Sequence, residues 1–212
     1  MTQIIRGNIL RKGELNILYL TDNPYLLEME DYQEWMQSNY RILFKNISTY
    51  LFVEFEKHGV PTHLVTSCTD QLSNIVRKCS MIKLQVKGAL VADESFTKYD
   101  IPLGTCFDKM IIQMIYKNKH LNYPIISESV AVNGLNLLTE NQMETIKKYT
   151  YIIENVSQEF FNQVNVSLRN FTIEFGFDCE TGDILLCDIF NFQTNPPDLR
   201  MALLNLLPEF IN

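Results

Sequence analysis

The stretch Phe171–Phe192, FTIEFGFDCETGDILLCDIFNF, decides how the chain is read. Phe171, Ile173 and Phe175 alternate with Thr172, Glu174 and Gly176, the period of a strand with one buried face. Asp178–Asp183, DCETGD, is turn chemistry, with Gly182 free to adopt a positive φ. The apolar run Ile184–Leu186 then returns and leads into Asp188. The pattern predicts a β-hairpin over 171–192. It would set Glu174 and Asp188 on neighbouring strands, where two carboxylates can share a cation.

Upstream of the hairpin lies the strongest helix signal. Thr139 and Gln142 have capping-box spacing, and Met143, Ile146, Ile153, Val156, Phe160 and Val164 form one apolar stripe. A helix over 139–164 is expected. Near the N-terminus, Leu15–Leu20 and Tyr25–Glu30 flank the turn Thr21-Asp22-Asn23-Pro24 and read as a second hairpin. A helix over 38–58 follows from the spacing of Ile42, Leu43, Ile47, Leu51, Phe52 and Phe55, with Gly59 as its C′ residue and Pro61 preventing continuation. Strands are expected at His63–Ser67, Ile75–Lys78, Met81–Ala92 and Met110–Tyr116. Pro196-Pro197 would end the hairpin region, and Met201–Leu207 could form a last short helix. Strands, one helix, more strands, then a helix and a hairpin describe an α+β chain rather than a doubly wound parallel sheet.

Composition narrows the function classes. The 212 residues are 46% apolar and 20% charged, ordinary for a globular protein, and the formal charge is −7, which argues against a nucleic-acid groove. No apolar run approaches the roughly 20 residues of a membrane span, and the N-terminus does not read as a signal peptide. The five cysteines lack CxxC spacing and read as free thiols in a reducing cytoplasm. His58, His63 and His120 are too dispersed to read as metal ligands, and Lys117, Lys119 and His120 read as a solvated basic loop. The phosphate loop GxxxxGK[ST], GxGxxG, HExxH and GxSxG are all absent.

The serial order of segments adds a resemblance. GVPTHLV after a helix, then VRKCSMIKLQV, ADESFTKY, IYKNKHLNYPIISES, a long helix and FTIEFGF…GDILLCD resemble the SAICAR synthetase family over roughly residues 10–195. That family joins aspartate to a carboxyaminoimidazole ribotide at the expense of ATP. The resemblance implies a two-lobe α+β fold with antiparallel sheets, packed helices and a cleft between the lobes. The lobes are expected at 1–80 and 81–212, the alternative being a single domain. Members often form homodimers.

Compared position by position, the resemblance is uneven. Gly13 is kept, but Glu14 and Asn16 stand where lysines face ATP phosphates, and a carboxylate there repels a polyphosphate. Gln85 stands at a glutamate position and Ala89 at an arginine position, while Ser95 and Lys98 match. Lys117, Asn118 and Pro124 are kept, but Lys119 and Tyr123 replace aspartates. Thr172 replaces a lysine and Ile189 a glutamate, and Asn191–Pro197 has lost the substrate-loop pattern with its arginine. With the chain ending at Asn212, the family's C-terminal helical part is expected to be short. The resemblance implies nucleotide-binding positions at Gly13, Lys87, Ser95, Lys98, Glu174 and Asp188, with a remnant metal site on Glu174 and Asp188. ATP and Mg2+ are the implied cofactors wherever the ancestral site still operates.

The resulting expectation is a cytoplasmic pseudoenzyme that binds a nucleotide-like ligand or a protein partner, as a possible homodimer, without nucleic acid or membrane. The alternatives are a divergent ATP-dependent carboxylate–amine ligase with another substrate and a purely structural scaffold.

Overall fold

The computed structural model describes residues 4–12, 16–31, 38–68, 73–163 and 165–195. These fall into two compact units. One is built from the described residues up to Ser80 together with Gly176–Cys187, the other from the described residues of 81–175 and 188–195. The expected lobes at 1–80 and 81–212 leave the whole hairpin in the second, whereas its tip, Gly176–Cys187, belongs to the first unit. Backbone hydrogen bonds explain why: His63 N–H donates to Leu186 O, Leu186 N–H to Pro61 O, and Cys179 N–H to Lys78 O. Arg77 Nη1 also donates to Asp178 Oδ2 at 3.1 Å.

The first unit is a five-stranded sheet and one helix. Strands β1 (Arg6–Lys12), β2 (Asn16–Thr21), β3 (Leu26–Asp31), β4 (Leu64–Ser67) and β5 (Ser73–Arg77) take the order β1-β2-β3-β5-β4. β2 and β3 form the expected hairpin, in antiparallel register with Leu18 opposite Met29. Its turn is closed by Thr21 Oγ1, which donates towards Asn23 O and Leu26 O, and by Asn23 Oδ1, which accepts from Tyr25 N–H. Helix α1 (Ser38–Lys57) buries Ile47, Leu51, Phe52 and Phe55 along the expected stripe. Each large apolar side chain buried in this way contributes about 1.5–3 kcal/mol. α1 ends where Gly59 takes φ 84° and Val60 N–H reaches back to Phe55 O, a Schellman closure.

The second unit is organised on β6 (Cys79–Val91), β7 (Cys106–Tyr116), β8 (Ile125–Ile126), β9 (Ser167–Asp178) and β10 (Ile184–Asn195), in the order β10-β9-β6-β7-β8. The β9–β10 hairpin is the one read from 171–192, extended at both ends. Helix α2 (Glu140–Gln163) starts on the capping box: Thr139 N–H donates to Gln142 Oε1 at 2.8 Å, and Gln142 N–H to Thr139 Oγ1 at 3.3 Å. Met143, Ile146, Ile153, Val156 and Phe160 are buried as the stripe predicts.

Side-chain alternation gives this sheet two different faces. Leu84, Val86 and Gly88 of β6 and Phe171, Ile173 and Phe175 of β9 are the buried alternates of their strands, on the face where Tyr149 of α2 stacks on Phe175 at 6.4 Å. A Cβ at Gly88 would sit 2.4 Å from the Phe171 ring, so only glycine admits that ring against the strand. The opposite face of β6 carries Gln85, Lys87 and Ala89. No helix among the described residues is long and apolar enough to cross a membrane.

The expected Gly13 and Glu14, the polar segment 32–37, Val164, Pro196-Pro197 and the 201–207 helix lie outside the described residues, as does the Asn16 side chain.

Candidate functional site

Polar side chains gather on the β6 face away from α2, in two adjoining groups. The first centres on Glu174 of β9, which is only 3% exposed. Gln85 Nε2 donates to Glu174 Oε1 at 2.9 Å, and Lys117 Nζ, from the loop after β7, donates to Glu174 Oε2. Both carboxylate oxygens are therefore engaged by the chain's own donors, one of them a cation.

The second group lies along the same face of β6. Register sets Lys87 opposite Gln113 of β7. Lys87 pairs with Asp93, and its Nζ lies 3.2 Å from Ser95 Oγ and 5.7 Å from the Phe96 ring centroid. Asp93 caps the 3-10 turn Glu94–Tyr99, its Oδ1 accepting from Ser95 N–H at 3.0 Å and from Ser95 Oγ–H at 2.7 Å. Ser95 Oγ also lies 3.1 Å from the Gln113 side-chain amide. Burial pushes the Asp93 carboxyl upward. The hydrogen bonds from Lys87 and from Ser95 outweigh this and hold it below the usual carboxylate range.

Next to this group the face turns apolar. Ala89, fully buried, packs with Ala92 and Phe96, and Ile101, Phe107 and Ile111 close around them. The position that the resemblance matches to an arginine is thus sealed inside a small hydrophobic cluster.

The residues expected from sequence are partly brought together. Lys87 and Ser95 share one network, and Glu174 lies on the neighbouring strand β9. Asp188 is half-buried on β10, next to β9 in the sheet. Lys98 is exposed, its Nζ 4.9 Å from the ring centroid of Tyr99. Gln113 carries no local signal, because strand register sets it opposite Lys87, whereas Asp93 carries one as an N-cap aspartate two residues before Ser95. Lys117 corrects an expectation: the loop read as solvated instead sends this lysine to a buried carboxylate. Lys119 and His120 of that loop are exposed.

Among the described residues no group of three or more His, Cys, Asp or Glu is arranged to hold a metal ion. At Glu174 both carboxylate oxygens are already engaged, by Lys117 and by Gln85. A divalent ion would have to displace an ammonium and then remain beside it.

Two further features fall in the first unit. Arg6 pairs with Glu28 and Glu30 and lies 4.0 Å over the Tyr19 ring, while Ser73 Oγ donates to Glu28 at 2.8 Å. The hydrogen bond from Arg6 is the main reason the Glu28 carboxyl is held low, against burial. His63 is buried against Phe52, with ring centroids 5.2 Å apart, and among the described residues its Nε2 has no hydrogen-bond partner. Burial alone pushes its pKa down to about 3, so the imidazole is neutral.

Comparison with known proteins matches residues 39–195 to the family model described as SAICAR synthetase. A phosphoribosylaminoimidazole-succinocarboxamide synthase from Akkermansia muciniphila is 33% identical over 175 residues, covering 78% of this chain and 73% of its own. The protein of the same name from Nautilia profundicola is 30% identical over 190 residues, covering 85% and 80%. Among solved structures, the Ehrlichia chaffeensis synthase superposes with a TM-score of 0.82 at 22% identity, over 96% of this chain and 98% of that one. A SAICAR synthetase solved in complex with ADP gives 0.76 at 24% identity, over 85% and 80%. These structural likenesses carry the fold.

Proposed function

The chain belongs to the SAICAR synthetase family, and from that premise we propose that it binds a nucleotide-like ligand without carrying out the family's ligase reaction. The observation that carries this reading is Ala89. Where the family resemblance expects a substrate-binding arginine, the chain has a fully buried methyl group packed against Ala92 and Phe96. A guanidinium cannot be regained there by a side-chain rotation, because the space is filled. Thr172 in place of a lysine and Tyr123 in place of an aspartate point the same way. Losing several charged groups from one site removes the stabilisation that phosphate transfer requires, whereas binding needs only a subset of those contacts.

A ligand is favoured over a protein partner because the polar groups that remain are inward, with Lys87 and Glu174 buried and Ser95 half-buried. That a fold relative was solved with ADP makes adenine nucleotides the first probes. A cytoplasmic setting goes with this reading, as the named relatives are biosynthetic enzymes.

The test is calorimetric titration with ADP and ATP, followed by a phosphate-release assay with ATP, aspartate and the carboxyaminoimidazole ribotide. Nucleotide binding without phosphate release is the expected outcome. Stoichiometric release dependent on both co-substrates would overturn the loss of the ligase step.

A second reading rests on the Lys87–Ser95 network, a cation beside a serine that matches the family pattern. It is a ligase for a different amine or carboxylate, and ATP turnover on a panel of amino acids and carboxylates would favour it.

A further inference from the structure

We infer that this site works without a divalent metal ion, the tethered ammonium of Lys117 taking the place on Glu174 that such an ion would hold. This rests on the binding function proposed above and specifies the chemical form of its ligand: an anionic nucleotide not complexed to metal.

Three features carry the inference. Glu174 is buried, and each of its oxygens already accepts a hydrogen bond, from Lys117 and from Gln85. Gln85 turns an N–H rather than a lone pair towards Glu174, so it adds no anionic ligand. The second carboxylate of the same face, Asp93, is held by Lys87 and Ser95.

Magnesium demands near-octahedral oxygen coordination at short range, and it loses its water reluctantly. Here it would have to replace a charge-assisted hydrogen bond and then tolerate an ammonium beside it. An ammonium on a flexible four-carbon stem supplies part of the same positive charge without demanding octahedral coordination. The site is therefore self-neutralised at Glu174 and Asp93.

The experiment uses the full chain. Mn2+ is titrated into the ligand-free protein, with free ion followed by electron paramagnetic resonance. ADP affinity is then measured calorimetrically in magnesium and in excess EDTA. No Mn2+ binding traceable to Glu174 is expected, and ADP affinity should differ less than twofold between the two conditions. Lys117→Met should create Mn2+ binding that Glu174→Gln abolishes, while Lys117→Arg, which keeps the cation, should leave the protein indifferent to Mn2+. Thermal melts establish that each variant is folded.

The inference is overturned if the parent protein binds Mn2+ in a Glu174-dependent manner, if EDTA weakens ADP binding tenfold or more, or if folded Lys117→Met still ignores Mn2+. Should ADP bind in neither condition, the nucleotide reading fails, and the Mn2+ titration still decides the metal question by itself.

Discussion

Lys117 Nζ donates to Glu174 Oε2, and this contact ties the loop after β7 to a carboxylate buried in the middle of β9. Truncating one partner leaves the other's charge uncompensated. Lys117→Met should cost about 2–3 kcal/mol, less than for a wholly buried pair because Lys117 keeps 28% of its side chain exposed. The double variant Lys117→Met/Glu174→Gln should recover much of that loss. Urea denaturation of the four proteins of this cycle measures the coupling, and strictly additive losses would contradict the contact.

Ala89 makes a sharper test of the lost arginine. Ala89→Arg should not regain ribotide binding, because the new guanidinium would have to enter a sealed apolar cluster. A destabilisation of about 3 kcal/mol or more is expected from burying an unpaired charge. A stable Ala89→Arg protein that gains affinity for the ribotide would show that the cluster opens.

Gly88→Ala should destabilise the second unit. The added methyl would meet the Phe171 ring at 2.4 Å and Met110 Sδ at 2.6 Å, and both side chains are already buried in the core. Overpacking of this kind costs about 1–3 kcal/mol. Pairing it with Phe171→Leu should relieve part of the loss, as read from denaturant midpoints.

His63 gives the protein an acid sensitivity with a defined sign. The unfolded imidazole titrates at its ordinary value near 6.5, whereas burial holds the folded one at about 3. At neutral pH both states are unprotonated and the group contributes nothing. Below pH 6.5 the unfolded chain takes up a proton that the folded chain refuses, so stability falls by about 1.4 kcal/mol per pH unit down to about pH 3. Denaturant midpoints at pH 7.5, 6 and 5 should therefore decline more steeply for the parent than for His63→Leu. Equal slopes would mean that the imidazole reaches water in the folded state.

The site was only partly legible in the sequence. Ser95 and Lys98 match the family pattern equally well, yet one sits in the Lys87 network and the other is exposed against Tyr99. Lys117 looked like part of a solvated basic loop because its acidic partner lies 57 residues further on.

Features written in local periodicity and local capping follow from the residues alone. The Phe171/Ile173/Phe175 alternation, the Thr139–Gln142 box and the Gly59 closure each depend on atoms within a few residues, and each forms as those residues dictate. Family membership was legible for a related reason, since the order of such elements survives when side chains change. Long-range packing alone sets Lys87 opposite Gln113, encloses Ala89 and pairs Lys117 with Glu174. Those facts depend on strand register and on which loop comes to rest over which strand, and both are set by packing across the whole sheet rather than by any one stretch of chain.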